Sequence, residues 1–134
     1  MKLMLDTNIC IAIIKQKPKD ILRKFNDYQV GQVCISSVTL AELRYGVAKS
    51  QYHQKNQAAL DEFILPLEVA DFDEAAADYY GRLRAGLERQ STPIGALDTM
   101  IAGHALSLNV ALVTNNTREF SRVAGLQLLD WVAG

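Results

Sequence analysis

The chain has 134 residues, 49% hydrophobic and 22% charged, with a formal net charge of −1. That size and balance fit one globular domain over residues 1–134, and they exclude a protein that binds polyanions through overall positive charge. No apolar run approaches the roughly 20 residues needed to span a bilayer. The N-terminus also lacks a basic lead with a small-residue cleavage site, so the expectation is a cytoplasmic protein with no membrane segment.

In chain order, KLML reads as a first strand, with Asp6 just beyond it, and NICIAIIK as a short helix. KPKDILRKFNDYQ sets Ile21, Leu22 and Phe25 at helical spacing, with Pro18 suited to a first turn. VCIS is a second strand, and Ser36-Ser37 offers an N-cap for VTLAELRYGVAKS. A helix through about Asn56 to Ile64 carries Leu60, Phe63 and Ile64 on one face, and LEVA is a third strand. Asp73 caps the long helix EAAADYYGRLRAGLERQ, STPIG is a turn or loop, and LDTMIAGHALSL is the next helix. VALVT is apolar enough for a strand covered on both faces, and LQLLDW gives a short fifth strand.

This alternation predicts an α/β fold, a parallel sheet of about five strands with helices on both faces. In such sheets function gathers beyond the carboxyl ends of the strands, where the connectivity reverses. Asp6 falls at that edge of the first strand, and Thr114, Asn115 and Asn116 at the end of the fourth.

Asp6 sits between two apolar runs, where a carboxylate is costly unless its charge is offset. Glu42 shares a helix face with Val38 and Tyr45, and Asp98 lies in the first turn of its helix, where the dipole favours negative charge. Taken singly, Glu42 and Asp98 read as ordinary helix carboxylates. Gathered on one rim, two carboxylates about 5 Å apart repel by roughly 3 kcal/mol at an effective dielectric near 20. A divalent cation reverses the sign of that interaction. Oxygen donors without a Cys or His set favour Mg²⁺ or Mn²⁺ over zinc, and such a site suits phosphodiester hydrolysis.

Other features carry less. Cys10 and Cys34 lie in apolar surroundings and read as buried free thiols, and His53 and His104 are too distant in sequence to complete a zinc site with them. Lys15, Lys17 and Lys19, like Arg82, Arg84 and Arg89, could form local basic surfaces, with a solvated face as the simpler reading. The segments Lys15 to Lys19 and Ser91 to Gly95 are candidates for substrate contact from their position.

MLDTN (4–8), CISSVTLAELRYG (34–46), PIGALDTMIAGHA (93–105) and VTNNTREFSRVAGLQLLDW (113–131) occur in an order that resembles the PIN-domain ribonucleases, specifically the VapC toxins of bacterial toxin–antitoxin modules. The resemblance implies a three-layer α/β/α sandwich around a parallel sheet and a Mg²⁺-dependent endoribonuclease. It makes Asp6, Glu42 and Asp98 the acids, with Asp6 and Asp98 on the metal, and Thr7, Asn8 and Thr114 their supports. Many PIN domains place a fourth acid, usually Asp, after the fourth strand. Here Asn115 and Asn116 stand nearby, and Glu119 is the fourth acid of what looks like the enteric-type subgroup. That subgroup cleaves initiator tRNA in its anticodon loop. The family further implies a homodimer and neutralisation by a VapB antitoxin in a higher assembly, with Tyr45, Tyr79, Tyr80 and Trp131 available to such interfaces or to packing.

Rival readings remain. A haloacid dehalogenase-type phosphotransferase needs a carboxylate at position 8, where this chain has Asn8. A receiver-type binding module leaves Glu42 with Asp98 unexplained. A catalytically inactive PIN scaffold, or a nuclease acting on other RNA or on DNA, stays open.

Overall fold

The computed structural model describes residues 1–131. They form five strands, β1 (Leu3–Leu5), β2 (Val33–Ser36), β3 (Glu68–Ala70), β4 (Ala111–Val113) and β5 (Leu128–Leu129). The helices are α1 (Thr7–Lys15), α2 (Lys19–Asn26), α3 (Ser37–Lys49), α4 (His53–Ile64), α5 (Glu74–Arg89), α6 (Ala96–Leu108) and the single turn α7 (Thr117–Phe120). The sheet runs β3-β2-β1-β4-β5 with every pair parallel. The expected α/β/α sandwich is therefore the observed one.

Alternation along the central strands builds the layers, because successive side chains point to opposite faces. Leu3, Leu5, Val33, Ile35, Ala111 and Val113 pack with Ile9 and Ile13 of α1, Ile21 of α2, Leu43 of α3 and Leu60 and Phe63 of α4. Met4, Cys34 and Leu112 point the other way, onto Ile101, Ala102 and Ala105 of α6 and Phe120 of α7. Each such large side chain, taken fully out of water, contributes roughly 1.5–3 kcal/mol. Helix α5 forms the outer wall of that second layer. Gly103 makes its approach to α6 possible, since a Cβ there would stand 3.0 Å from the Tyr80 backbone nitrogen.

Cys10 and Cys34 are buried free thiols, as expected. Among the described residues no helix is long and apolar enough to cross a membrane. Several boundaries differ from expectation. Helix α4 begins at His53 rather than near Asn56, and β5 keeps only Leu128–Leu129 of LQLLDW. The segment after the fourth strand, TNNTREF, holds the single turn α7, because the fully buried Phe120 pins it into the second core cluster.

Chain order reverses at β1, with β2 and β3 on one side and β4 and β5 on the other. The carboxyl ends of β1 and β4 therefore open onto the crevice where α/β folds place their ligands.

Candidate functional site

Asp6 is the residue after β1 and the N-cap of α1. Its backbone N–H still donates to Val113 O at 3.0 Å, while its Oδ1 accepts the Ile9 N–H at 2.8 Å. That capping bond is half of what the carboxylate does in the protein alone, and sequence reasoning missed it although D-T-N before an apolar run is an N-cap pattern. The other oxygen, Oδ2, accepts the hydroxyl of Thr114, the residue after β4. Asp6 is only 4% exposed. Burial, the larger effect, lifts its pKa from 3.8 to about 6, against the lowering effect of the Thr114 and Ile9 bonds. The charges of Asp98 and Glu42 push the same way as burial.

Glu42 projects from the middle of α3, and its Oε1 accepts the Thr7 hydroxyl at 2.6 Å. Buried Thr39, one helical turn before Glu42, lies 3.4 Å from the same hydroxyl. Asp98 sits in the first turn of α6, half-buried, and its pKa is raised first by burial and then by the charges of Glu119 and Glu42. Glu119 lies on α7, where Asn116 Nδ2 donates to its Oε2 at 3.3 Å. Asn116 in turn donates its backbone N–H to Thr114 Oγ1 at 2.9 Å. The four acids thus share one electrostatic neighbourhood at the carboxyl edge of the sheet.

The supporting residues divide. Thr7, Thr114 and Asn116 each hold an acid, whereas Asn8 and Asn115 are exposed. Asn8 lines, with Thr7, Glu42 and Tyr45, an open groove of about 750 Å³. Among the described residues none of the four acids forms a salt bridge; the four bridges join Arg23 to Asp20, Arg44 to Asp61, Arg82 to Asp78 and Arg84 to Glu88. Arg82 and Arg84 are therefore neutralised on their own helix face. Trp131 is buried and stacks on Tyr28, whereas Tyr45 and Tyr79 are exposed.

Gathered carboxylates, one of them buried and none salt-bridged among the described residues, are suited to a hard divalent ion. Among the described residues no three Asp, Glu, His or Cys side chains form a ready-made cage. That arrangement fits an ion that takes one or two carboxylates and keeps several waters better than a closed structural site.

Residues 3–126 match the PIN domain family. A Shigella flexneri protein, tRNA(fMet)-specific endonuclease VapC, is 53% identical over 131 residues, 98% of each chain. In the crystal structure of DNA-bound VapBC from Salmonella typhimurium, one chain matches with a TM-score of 0.93 at 50% identity over 98% of each chain. A chain of VapBC2 from Rickettsia felis, bound to a DNA fragment from their promoter, matches at 0.89 and 41% identity over 98% of this chain and 99% of that one.

Proposed function

The chain belongs to the PIN-domain family, among its VapC ribonucleases, and on that footing we propose that its acidic crevice is the active site of a Mg²⁺-dependent endoribonuclease toxin. The observation that carries the reading is the mutual electrostatic influence of Asp6, Glu42, Asp98 and Glu119 near the switch point, with no salt bridge to any of them among the described residues. The PIN-domain nucleases in general depend on a divalent metal; the choice of Mg²⁺, with Mn²⁺ as a working substitute, follows from the all-oxygen donor set.

In this reading Asp6 and Asp98 hold the ion, and Glu42 and Glu119 complete the acidic wall around it. When bound, the ion supplies positive charge for the phosphodiester and makes water a better nucleophile. Thr114 and the Ile9 N–H fix the Asp6 carboxylate, Thr7 fixes Glu42, and Asn116 fixes Glu119. With both Asp6 oxygens already bonded inside the protein, the carboxylate has little freedom to rotate. In the proposed reaction Glu42 and Glu119 take a proton from the attacking water. Asn8 and Asn115, exposed at the ends of β1 and β4, are placed to meet RNA oxygens.

The substrate proposed is initiator tRNA, cut in the anticodon loop so that translation stops; support comes from relatives named for tRNA(fMet) cleavage. The partner proposed is a VapB-type antitoxin, in keeping with relatives crystallised as VapBC. An apolar groove of about 270 Å³, lined by Ile11, Ile14, Leu43, Val47 and Leu60 with Glu42 at its edge, suits an antitoxin segment whose Arg or Lys competes with metal. We also infer a cytoplasmic homodimer with one PIN domain over residues 1–134.

The test is incubation of purified protein with total RNA and Mg²⁺, followed by sequencing of the new ends. Ends confined to the initiator tRNA anticodon loop, and lost in Asp6→Ala and Asp98→Ala, are expected. Undiminished cleavage by either variant would overturn the assignment.

A further inference from the structure

One polar side chain in the second core layer has no part in the acid cluster. His104 lies on α6 beside Ala102 and Ala105 and is 1% exposed. Its Nδ1 stands 2.8 Å from Ser36 Oγ. Ser36 ends β2, is fully buried, and caps α3 by accepting the Val38 N–H at 3.0 Å. With that N–H accepted, the serine proton needs an acceptor of its own, and Nδ1 supplies it. The imidazole then carries its hydrogen on Nε2.

Within strict hydrogen-bond geometry Nε2 has no partner among the described residues, although a backbone interaction with Asp71 acts on the ring. The Phe72 ring meets the imidazole edge-on at 5.4 Å. Burial, the larger effect, lowers the His104 pKa against the charge of Asp73, a backbone hydrogen bond with Asp71 and the charge of Asp71, all of which favour the charged form. Nδ1, against Ser36, is the ring nitrogen that reaches the start of α3.

That nitrogen joins the two helices that carry Glu42 and Asp98. Helix α6 carries Asp98, and α3, whose first turn Ser36 caps, carries Glu42. On its outer side α6 is set by the close approach of Gly103 to Tyr80 of α5. A second bond, from the Phe72 N–H to Ser37 Oγ at 3.0 Å, ties the start of α3 to the segment after β3.

We propose that His104 is a positioning residue for the metal site: by accepting the Ser36 hydroxyl it fixes the start of α3 against α6 and so sets Glu42 relative to Asp98. The inference rests on the ribonuclease reading above for what the site does, but its first readout is metal affinity alone. Mn²⁺ binding to wild-type protein and variants is followed by loss of the free-ion electron paramagnetic signal.

His104→Phe and Ser36→Ala, which each remove the bond, weaken Mn²⁺ binding about five- to tenfold, the scale of one hydrogen bond of about 1 kcal/mol. His104→Asn, whose amide oxygen can take the place of Nδ1, stays within about twofold of wild type, on the same scale. His104→Gln, which reaches toward the Nε2 position instead, behaves like His104→Phe. A purely structural role would lower thermal stability without this Asn-against-Gln split. If His104→Phe fails to fold, Ser36→Ala carries the same test.

In nitrogen-15 NMR of wild-type protein the Nε2–H tautomer is expected. An Nδ1–H tautomer, or wild-type Mn²⁺ affinity in His104→Phe and Ser36→Ala, would overturn the inference. RNA cleavage is assayed in parallel. Wild-type protein that binds Mn²⁺ yet cuts no RNA would refute the ribonuclease reading and leave the positioning role standing.

Discussion

The Thr7 hydroxyl lies 2.6 Å from Glu42 Oε1 and joins the first residue of α1 to the middle of α3. Thr7 directly follows Asp6, so one step of chain links two acids of the crevice. Thr7→Val removes the hydroxyl at nearly constant volume. It should cost about 0.5–1.5 kcal/mol in denaturant unfolding and raise the Mg²⁺ concentration needed for half-maximal cleavage, whereas Thr7→Ser should restore both.

Asp6 in the metal-free protein opposes stability near neutral pH. Its folded pKa of about 6 exceeds the ordinary 3.8, so between those values the folded form keeps a proton that the unfolded chain has released. Stability contributed by Asp6 is therefore present at low pH and lost as pH rises from 3.8 through about 6. The shift corresponds to about 3 kcal/mol. Asp6→Asn can still cap α1 and face Thr114, without the charge. Metal-free Asp6→Asn should be more stable than wild type above pH 6, by up to that amount; thermal melts at pH 5 and pH 8 in chelator would measure it. Added Mg²⁺ should stabilise only the wild type.

Thr114 lowers the Asp6 pKa by donating to Oδ2. Thr114→Val, a near-isosteric change at a fully buried position, should move the Asp6 midpoint upward from about 6 in carbon-13 titration of metal-free protein. An unchanged midpoint would mean that the bond does not form in solution.

Much of this was legible in the sequence. Asp6 stood out because a carboxylate between apolar runs needs compensation, and the strands announced themselves through short apolar segments between helical patterns. Ser36 and Asp73 were legible as N-caps, and both accept the expected backbone N–H groups. The long-range bonds were not. Thr114 meets Asp6 only because β4 lies beside β1 rather than beyond β3, and strand order is not written in hydrophobic periodicity. His104 and Ser36 are joined across 68 positions for the same reason. A lone histidine inside an apolar helix run was the available signal. The proposal of Glu119, rather than Asn115 or Asn116, as the fourth acid comes from the resemblance to the PIN family and not from spacing.

Gly103 offers a test of the scaffold. A methyl group there would stand 3.0 Å from the Tyr80 nitrogen and 3.1 Å from its Cα, both backbone atoms that cannot swing aside. Gly103→Ala should push α6 from α5 and cost about 1–3 kcal/mol in chemical denaturation. Because Asp98 rides on α6, Mg²⁺ affinity should fall with it.

The central claim is that Asp6 and Asp98 converge on one divalent cation. Anomalous diffraction from crystals soaked in Mn²⁺ tests it most directly. The account requires a peak at the carboxyl ends of β1 and β4, within coordination distance of both carboxylates and absent in Asp98→Ala crystals. A peak elsewhere, or none at a Mn²⁺ concentration that supports RNA cleavage, would contradict it.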